Sequence, residues 1–246
     1  MKKQIGFLGS FLLGVAIAIM GLSGEAQAIS FTATSGSRAA SVDFTVSGDQ
    51  LTVVLTNTSA ADALVPVDIL TAVFFSPNGP TFTSGTAVLT AGSTVFFDVP
   101  PVGDVVGGEW AYGSGLLGAP LGATQGISSA GFGLFGGSTF TGADLDPPPA
   151  VDGLNYGITS AGDNSGTGNA PVTGGFPLIQ NSVTFTLSGA TGFDPTSITN
   201  VSFQYGTALT EPNIRVPEPT SLLLLGVGLA GIGIWRRKAT KSEKGG

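Results

Sequence analysis

The chain has 246 residues, no cysteine, no histidine and a formal net charge of −7. Without histidine it lacks the commonest general base and the imidazole metal ligand, which excludes Ser-His-Asp triads, Cys-His dyads and the usual zinc hydrolase sites. Between residues 29 and 215 the basic residues are Arg38 and Arg215, set against 13 acidic ones. A stretch so acidic has no Lys/Arg footprint for nucleic-acid phosphates, so no nucleic-acid partner is expected.

Residues 1–28 carry the three parts of a secretory signal peptide: Lys2-Lys3, an apolar run over 5–22, and an A-x-A site at Ala26-Gln27-Ala28. Signal peptidase is therefore the expected first partner. Export makes disulfides available, yet none can form, so stability must come from core burial or bound ions. The 39 glycines and 15 prolines stay below the roughly 25–30% that marks low complexity, and 42% of residues are hydrophobic. Removing both terminal segments leaves about 190 residues, enough for one all-β domain with a sizeable core.

The body opens with strand patterning. Residues 29–34 alternate, with Ile29, Phe31 and Ala33 in phase. Residues 41–47 put Val42, Phe44 and Val46 on one face, and residues 50–57 do so with Leu51, Val53 and Leu55. Gly48-Asp49 between them predicts a β-hairpin. Residues 57–62 are small and polar, as a loop. Residues 67–75 are almost continuously apolar, which suits a strand buried on both faces. Pro77-Asn78-Gly79-Pro80 is a turn.

Residues 86–89 and 94–99 read as a strand pair around Ala91-Gly92-Ser93, ended by Pro100-Pro101. Trp110 and Tyr112 share a short alternating segment. Residues 113–142 are glycine-rich, with a strand expected at 131–135 whose glycines admit a neighbouring backbone. Residues 144–175 form the longest irregular stretch, holding Pro147-Pro148-Pro149 and a strand expected at 151–158. A loop this long is usually functional or mobile. Residues 181–187 and 198–206 alternate cleanly, and 209–215 reads as a linker.

No helix-period run occurs outside the terminal segments. About ten short strands with Gly/Pro turns predict an all-β fold, a two-sheet β-sandwich with the jelly roll as one variant. An N-terminal signal helix and a C-terminal transmembrane helix would flank it. The predicted boundaries are 1–28, 29–212 and 213–246.

Candidate chemistry is sparse. There is no G-x-S-x-G, and the body holds no lysine to replace histidine as a base, so no enzyme activity is expected. A glycosidase needs paired carboxylates, and Glu109 beside Trp110 and Tyr112 is the one candidate acid, although such aromatics are more often core residues. The long loop offers oxygen ligands instead. Asp144, Asp146 and Asp152, followed by Asp163, Asn164 and Asn169, are candidate calcium ligands without EF-hand spacing; the bland alternative is ordinary turn chemistry. Asn57-Thr58-Ser59 and Asn200-Val201-Ser202 match a glycosylation pattern frequent by chance.

The last stretch is the most specific. Pro217-Glu218-Pro219 cannot continue a helix and favours extended backbone. The apolar run 222–235 follows, with Thr220 or Ser221 as N-cap. Residues 221–235 would make roughly 22 Å of helix, short of a hydrocarbon core of about 30 Å. Trp235 and the basic cluster Arg236-Arg237-Lys238 suit the interface and the cytoplasmic side. Gly226, Gly228 and Gly231 fit a dinucleotide fingerprint by spacing alone. No strand, helix and acidic residue frame it, and small residues that let membrane helices approach explain them better.

This order of Pro-Glu-Pro, apolar run and Arg-Arg resembles the PEP-CTERM sorting tail, which is read by the membrane protease-transpeptidase exosortase. The opening of the body, FTATSGSRAASVDFTVSG at 31–48 and LTVVLTNTS at 51–59, also resembles a set of cyanobacterial exosortase-dependent surface proteins of unassigned function. The resemblance implies a precursor held transiently in the inner membrane, cut near Pro217, and a mature form at the cell surface or in an exopolysaccharide-containing matrix. The body would be a structural or interaction module. The alternatives are a carbohydrate- or calcium-binding module, or a secreted glycosidase.

Overall fold

A computed structural model describes residues 26–136, 139–149 and 151–217. Both terminal helices expected from the sequence lie outside the described residues, apart from 26–28. No helix among the described residues is long and apolar enough to cross a membrane. The fold is all-β with two sheets, and the helical segments are single 3-10 turns.

The first sheet begins as a meander of β1 (Gln27–Ser35), β2 (Arg38–Ser47) and β3 (Gln50–Asn57). Two-residue turns join them, each opening with a glycine, Gly36 at φ 61° and Gly48 at φ 60°. Primed hairpin turns need that left-handed value at the first position. The register pairs Phe31 with Val42, and Val42 with Leu55, so the apolar alternants of all three strands share one face. β11 (Ser182–Ser188) then pairs with β3, and β5 (Thr83–Leu89) pairs with β11.

The second sheet runs β13 (Asn213–Arg215), β12 (Thr199–Tyr205), β4 (Leu70–Ser76), β9 (Gly157–Thr159), β10 (Leu178–Gln180) and β6 (Thr94–Phe96). β8 (Gln125–Ser128) also pairs with β4 and carries β7 (Ala111–Ser114) on its outer side.

The apolar faces of the two sheets close on one core. Phe44 of β2 meets Phe75 of β4 edge to face at 5.0 Å, and Phe185 of β11 lies 5.1 Å from both Trp110 and Phe140. Residues 116–123 and 132–135, on either side of β8, fold over the outer face of β4, where Phe74 packs against Phe132 and Phe135. β4 is therefore buried on both faces, as its continuous apolar run requires.

Several expectations are corrected. β5 and β6 are not a hairpin: β5 pairs with β11 in one sheet and β6 with β10 in the other. The turn at Ala91-Gly92-Ser93, with Gly92 at φ 86°, passes the chain between sheets. β6 stops at Phe96, because Phe97 takes a positive φ of 65°. Residues 131–135 form a turn in which the Leu134 and Phe135 amides donate to the Gly131 carbonyl. The strand of that region is β8, but the close backbone approach expected of these glycines holds at Gly131, where a Cβ would lie 3.1 Å from the Val151 carbonyl oxygen; within β8, a Cβ on Gly126 would lie 2.9 Å from the Phe74 ring. Of residues 151–158 only the end is strand, as part of β9, which runs parallel to β10. The stretch read as linker contains β13, paired with β12.

Phe185→Ala removes the ring shared by Trp110 and Phe140, and should cost about 3–5 kcal/mol in urea unfolding. Thr45→Ala, on the outward face of β2, should cost less than about 0.5 kcal/mol.

Candidate functional site

The 3-10 turn Gly107–Glu109 leads into β7 and sends neighbouring side chains opposite ways. Trp110 enters the core and is 0% exposed, whereas the Glu109 carboxylate meets residues 144–146. The two glycines make this possible. A Cβ on Gly107 would lie 2.0 Å from the Thr141 carbonyl oxygen, and one on Gly108 would lie 2.0 Å from that of Ala143. Only a backbone without side chains lets the loop settle here.

The seated loop delivers two amides to Glu109. The Leu145 and Asp146 N–H groups both donate to Glu109 Oε1, the second at 3.2 Å. Asp144 stands beside the same carboxyl. Further along the loop, Asn155 Nδ2 donates to Asp146 Oδ2 at 2.9 Å and to Asp152 Oδ2 at 3.3 Å. The Tyr156 hydroxyl donates to Asp98 Oδ2 at 2.7 Å. Glu109, Asp144, Asp146, Asp152 and Asn155 thus form one group, with Asp98 at its margin.

Three oxygens of this group are buried without a hydrogen-bond partner: Glu109 Oε2, Asp152 Oδ1 and Asn155 Oδ1. Glu109 is 1% exposed and Asn155 3%. Burial raises the Glu109 carboxyl to about 7, against the pull of its two amide donors, and the Asp144 charge adds to the rise. Burial followed by the charges of Asp144 and Asp146 raises Asp152 to about 6. The body's cations sit elsewhere: Arg38 is paired with Asp68 at 2.7 Å, and Arg215 lies on β13, at the edge of the sheet opposite β6. Among the described residues, no three acidic groups already stand at metal-ligating spacing.

Of the predicted calcium ligands, the structure brings Asp144, Asp146 and Asp152 together and holds Asp163 in a different group. Asp163 Oδ1 accepts from the Ala63 amide at 2.8 Å, and Asp62 is its charged neighbour. Asn164 and Asn169 belong to the same crossing, the first donating its amide to Asp62 and the second to the Leu64 carbonyl. Sequence reasoning placed Glu109 in a different role and left out Asn155. The signal for Glu109 was Gly107-Gly108, a pair of bare residues directly before an acid.

The aromatics beside Glu109 are committed to structure. Trp110 is enclosed, and the Tyr112 hydroxyl donates to Gln125 Oε1 at 2.7 Å and accepts from the Phe82 amide at 3.1 Å. Burial pushes the Tyr112 phenol up to about 12. A cleft of about 330 Å³ opens between residues 82–84 and 112–114.

At the other end of the body, β13 runs into the tail. The Val216 amide donates to the Val201 carbonyl at 3.0 Å, and Pro217 follows at once. Glu218, Pro219, Arg236, Arg237 and Lys238 lie outside the described residues. At the N-terminal end, Ala26 is exposed and Ala28 pairs with Thr45 in β1. Residues 215–238 match the family model described as the PEP-CTERM protein-sorting motif. The chain thus carries a PEP-CTERM sorting motif over these residues. The motif implies an exported, membrane-passing precursor targeted by exosortase. No curated protein and no solved structure matches the chain.

The raised carboxyls of the body fix a pH dependence. Glu109 and Asp152 hold protons in the folded body at pH values where the unfolded chain has released them. The stability this contributes is complete below about pH 4 and is lost as pH rises through 6 and 7. With chelator present, the melting temperature should be higher at about pH 5 than at about pH 8. Glu109→Gln, which keeps an oxygen for the two amides, should flatten that difference.

Proposed function

We infer that the chain is a surface or extracellular-matrix protein, made as a precursor, trimmed by signal peptidase at Ala28 and by exosortase near Pro217. The observation that carries this is the sorting motif starting where the last strand ends, with Val216 still bonded to the sheet. The folded body and the processing signal are adjacent, so the body is what reaches the surface. The tail would hold the precursor in the inner membrane only until cleavage.

The body serves as a structural or interaction module without catalysis. Two sheets sharing one core support the sandwich reading, a rigid scaffold without disulfides. The residue chemistry supports the absence of catalysis: the body has neither histidine nor lysine, and Glu109 is enclosed and bound to a loop. The excess of acidic residues favours solubility at the cell surface and suits an uncharged polysaccharide, such as an exopolysaccharide, better than a polyanion.

The test is the intact mass of the protein recovered from its host with and without exosortase. The expected species begins at Ile29 and ends between Pro217 and Pro219, in the exosortase-containing strain alone. A species retaining Gly246 in both strains would make the tail a plain membrane anchor and overturn the processing. Hydrolysis of any member of a broad glycan panel, lost in Glu109→Gln, would overturn the non-catalytic reading.

A further inference from the structure

We propose that the loop cluster around Glu109 is a calcium site, formed by Glu109, Asp144, Asp146, Asp152 and Asn155. Four carboxylates meet here in a body whose two arginines are committed to Asp68 and to the opposite sheet edge. Buried charge of one sign needs a countercharge. Three oxygens of the group lie buried with nothing bound to them. Two belong to side chains that are almost wholly enclosed, Glu109 and Asn155. Eight buried side-chain polar atoms among the described residues have no partner, and three of them gather in this one group, which points to a missing partner there.

The donor set selects the ion. Every side chain offers oxygen, and none offers sulfur or imidazole, which suits hard cations rather than zinc or copper. Magnesium demands a near-ideal octahedron at short range, whereas calcium accepts six to eight oxygens from an irregular loop. No three acidic groups stand at ligating spacing before binding. Binding calcium would bring the carboxylates of this group closer together around Glu109.

Two features prepare the group for this. Glu109 Oε1 already grips the amides of Leu145 and Asp146, which leaves Oε2 free on the same carboxylate. The Asn155 carboxamide already sits between Asp146 and Asp152, its NH2 donating to both. Half a turn of that amide replaces NH2 with Oδ1 and converts a screen between two carboxylates into another ligand. Gly107 and Gly108 hold the near side of the loop, and Pro147, Pro148 and Pro149 restrict its freedom before the ion arrives.

The full chain in detergent, stripped with chelator and titrated with calcium at about pH 8, tests this by calorimetry and by melting. One ion per chain should bind, with a dissociation constant of about 10⁻⁴–10⁻³ M, the range of extracellular calcium modules. The melting temperature should rise with calcium, and more than with equal magnesium. Asp152→Asn and Glu109→Gln should each weaken binding at least about tenfold while keeping the strand circular-dichroism signal; Asp163→Asn should leave it unchanged. Absence of both heat and stabilisation at about 10 mM calcium would overturn the proposal. So would a melting temperature that follows pH and ignores calcium, which makes a shared proton the countercharge. Binding unaltered in Asp152→Asn and Glu109→Gln, or lost in Asp163→Asn alone, would place any calcium elsewhere and overturn it equally.

Discussion

A buried carboxylate with a loop in its grip organises the irregular half of this protein. Glu109 is enclosed because Gly107 and Gly108 let residues 141–144 lie against the chain, and Trp110 is anchored in the core directly after it. The loop so fixed carries Asp144 and Asp146, and its continuation brings Asp152 and Asn155 to the same place. Tyr156 then reaches Asp98 behind β6, and residues 157–159 enter the second sheet as β9. An acid that a solvent-exposed chain would ionise freely is thereby made part of the packing, and its charge becomes a structural problem the fold must solve.

The meander and the core strands pose no such problem. Their stability rests on aromatic packing between two sheets, with Phe44 against Phe75 at one place and Phe185 against Trp110 and Phe140 at another. The residues that make β4 continuous in its hydrophobicity serve both faces, Phe75 inwards and Phe74 under residues 132–135. The acidic group stands beside this core without entering it. That separation lets the cluster respond to protons or cations while the sheets keep their pairing.

Long alternation was legible, and short pairing was not. β1, β2, β3 and β11 each run seven residues or more, long enough for period-two burial to show in the sequence; β12 is as long and alternates in sequence, yet is buried at every residue from Val201 to Tyr205. β6, β9, β10 and β13 have three residues each, too few to carry a period, and they exist because neighbours in the sheet accept their hydrogen bonds. Residues 131–135 looked like a strand because they are apolar; their apolarity serves the outer face of β4 instead. At the site, Asp144, Asp146 and Asp152 were legible as an oxygen-rich loop. Asp163 is equally acidic and near in sequence, yet its partner is Ala63, 100 residues away, a contact that loop composition cannot reveal. The sorting motif was legible in full because its signal is local: two prolines, an apolar run and a basic stop.

The direct measurement is a crystal structure of the protein grown with calcium, using the anomalous signal to place the ion. One peak is expected, contacted by Glu109 Oε2 and Asp152 Oδ1, with the Asn155 carboxamide turned so that Oδ1 faces it. Finding no peak there, with the Asn155 NH2 still between Asp146 and Asp152 and Glu109 hydrogen-bonded to Asp144 through a proton, would contradict it.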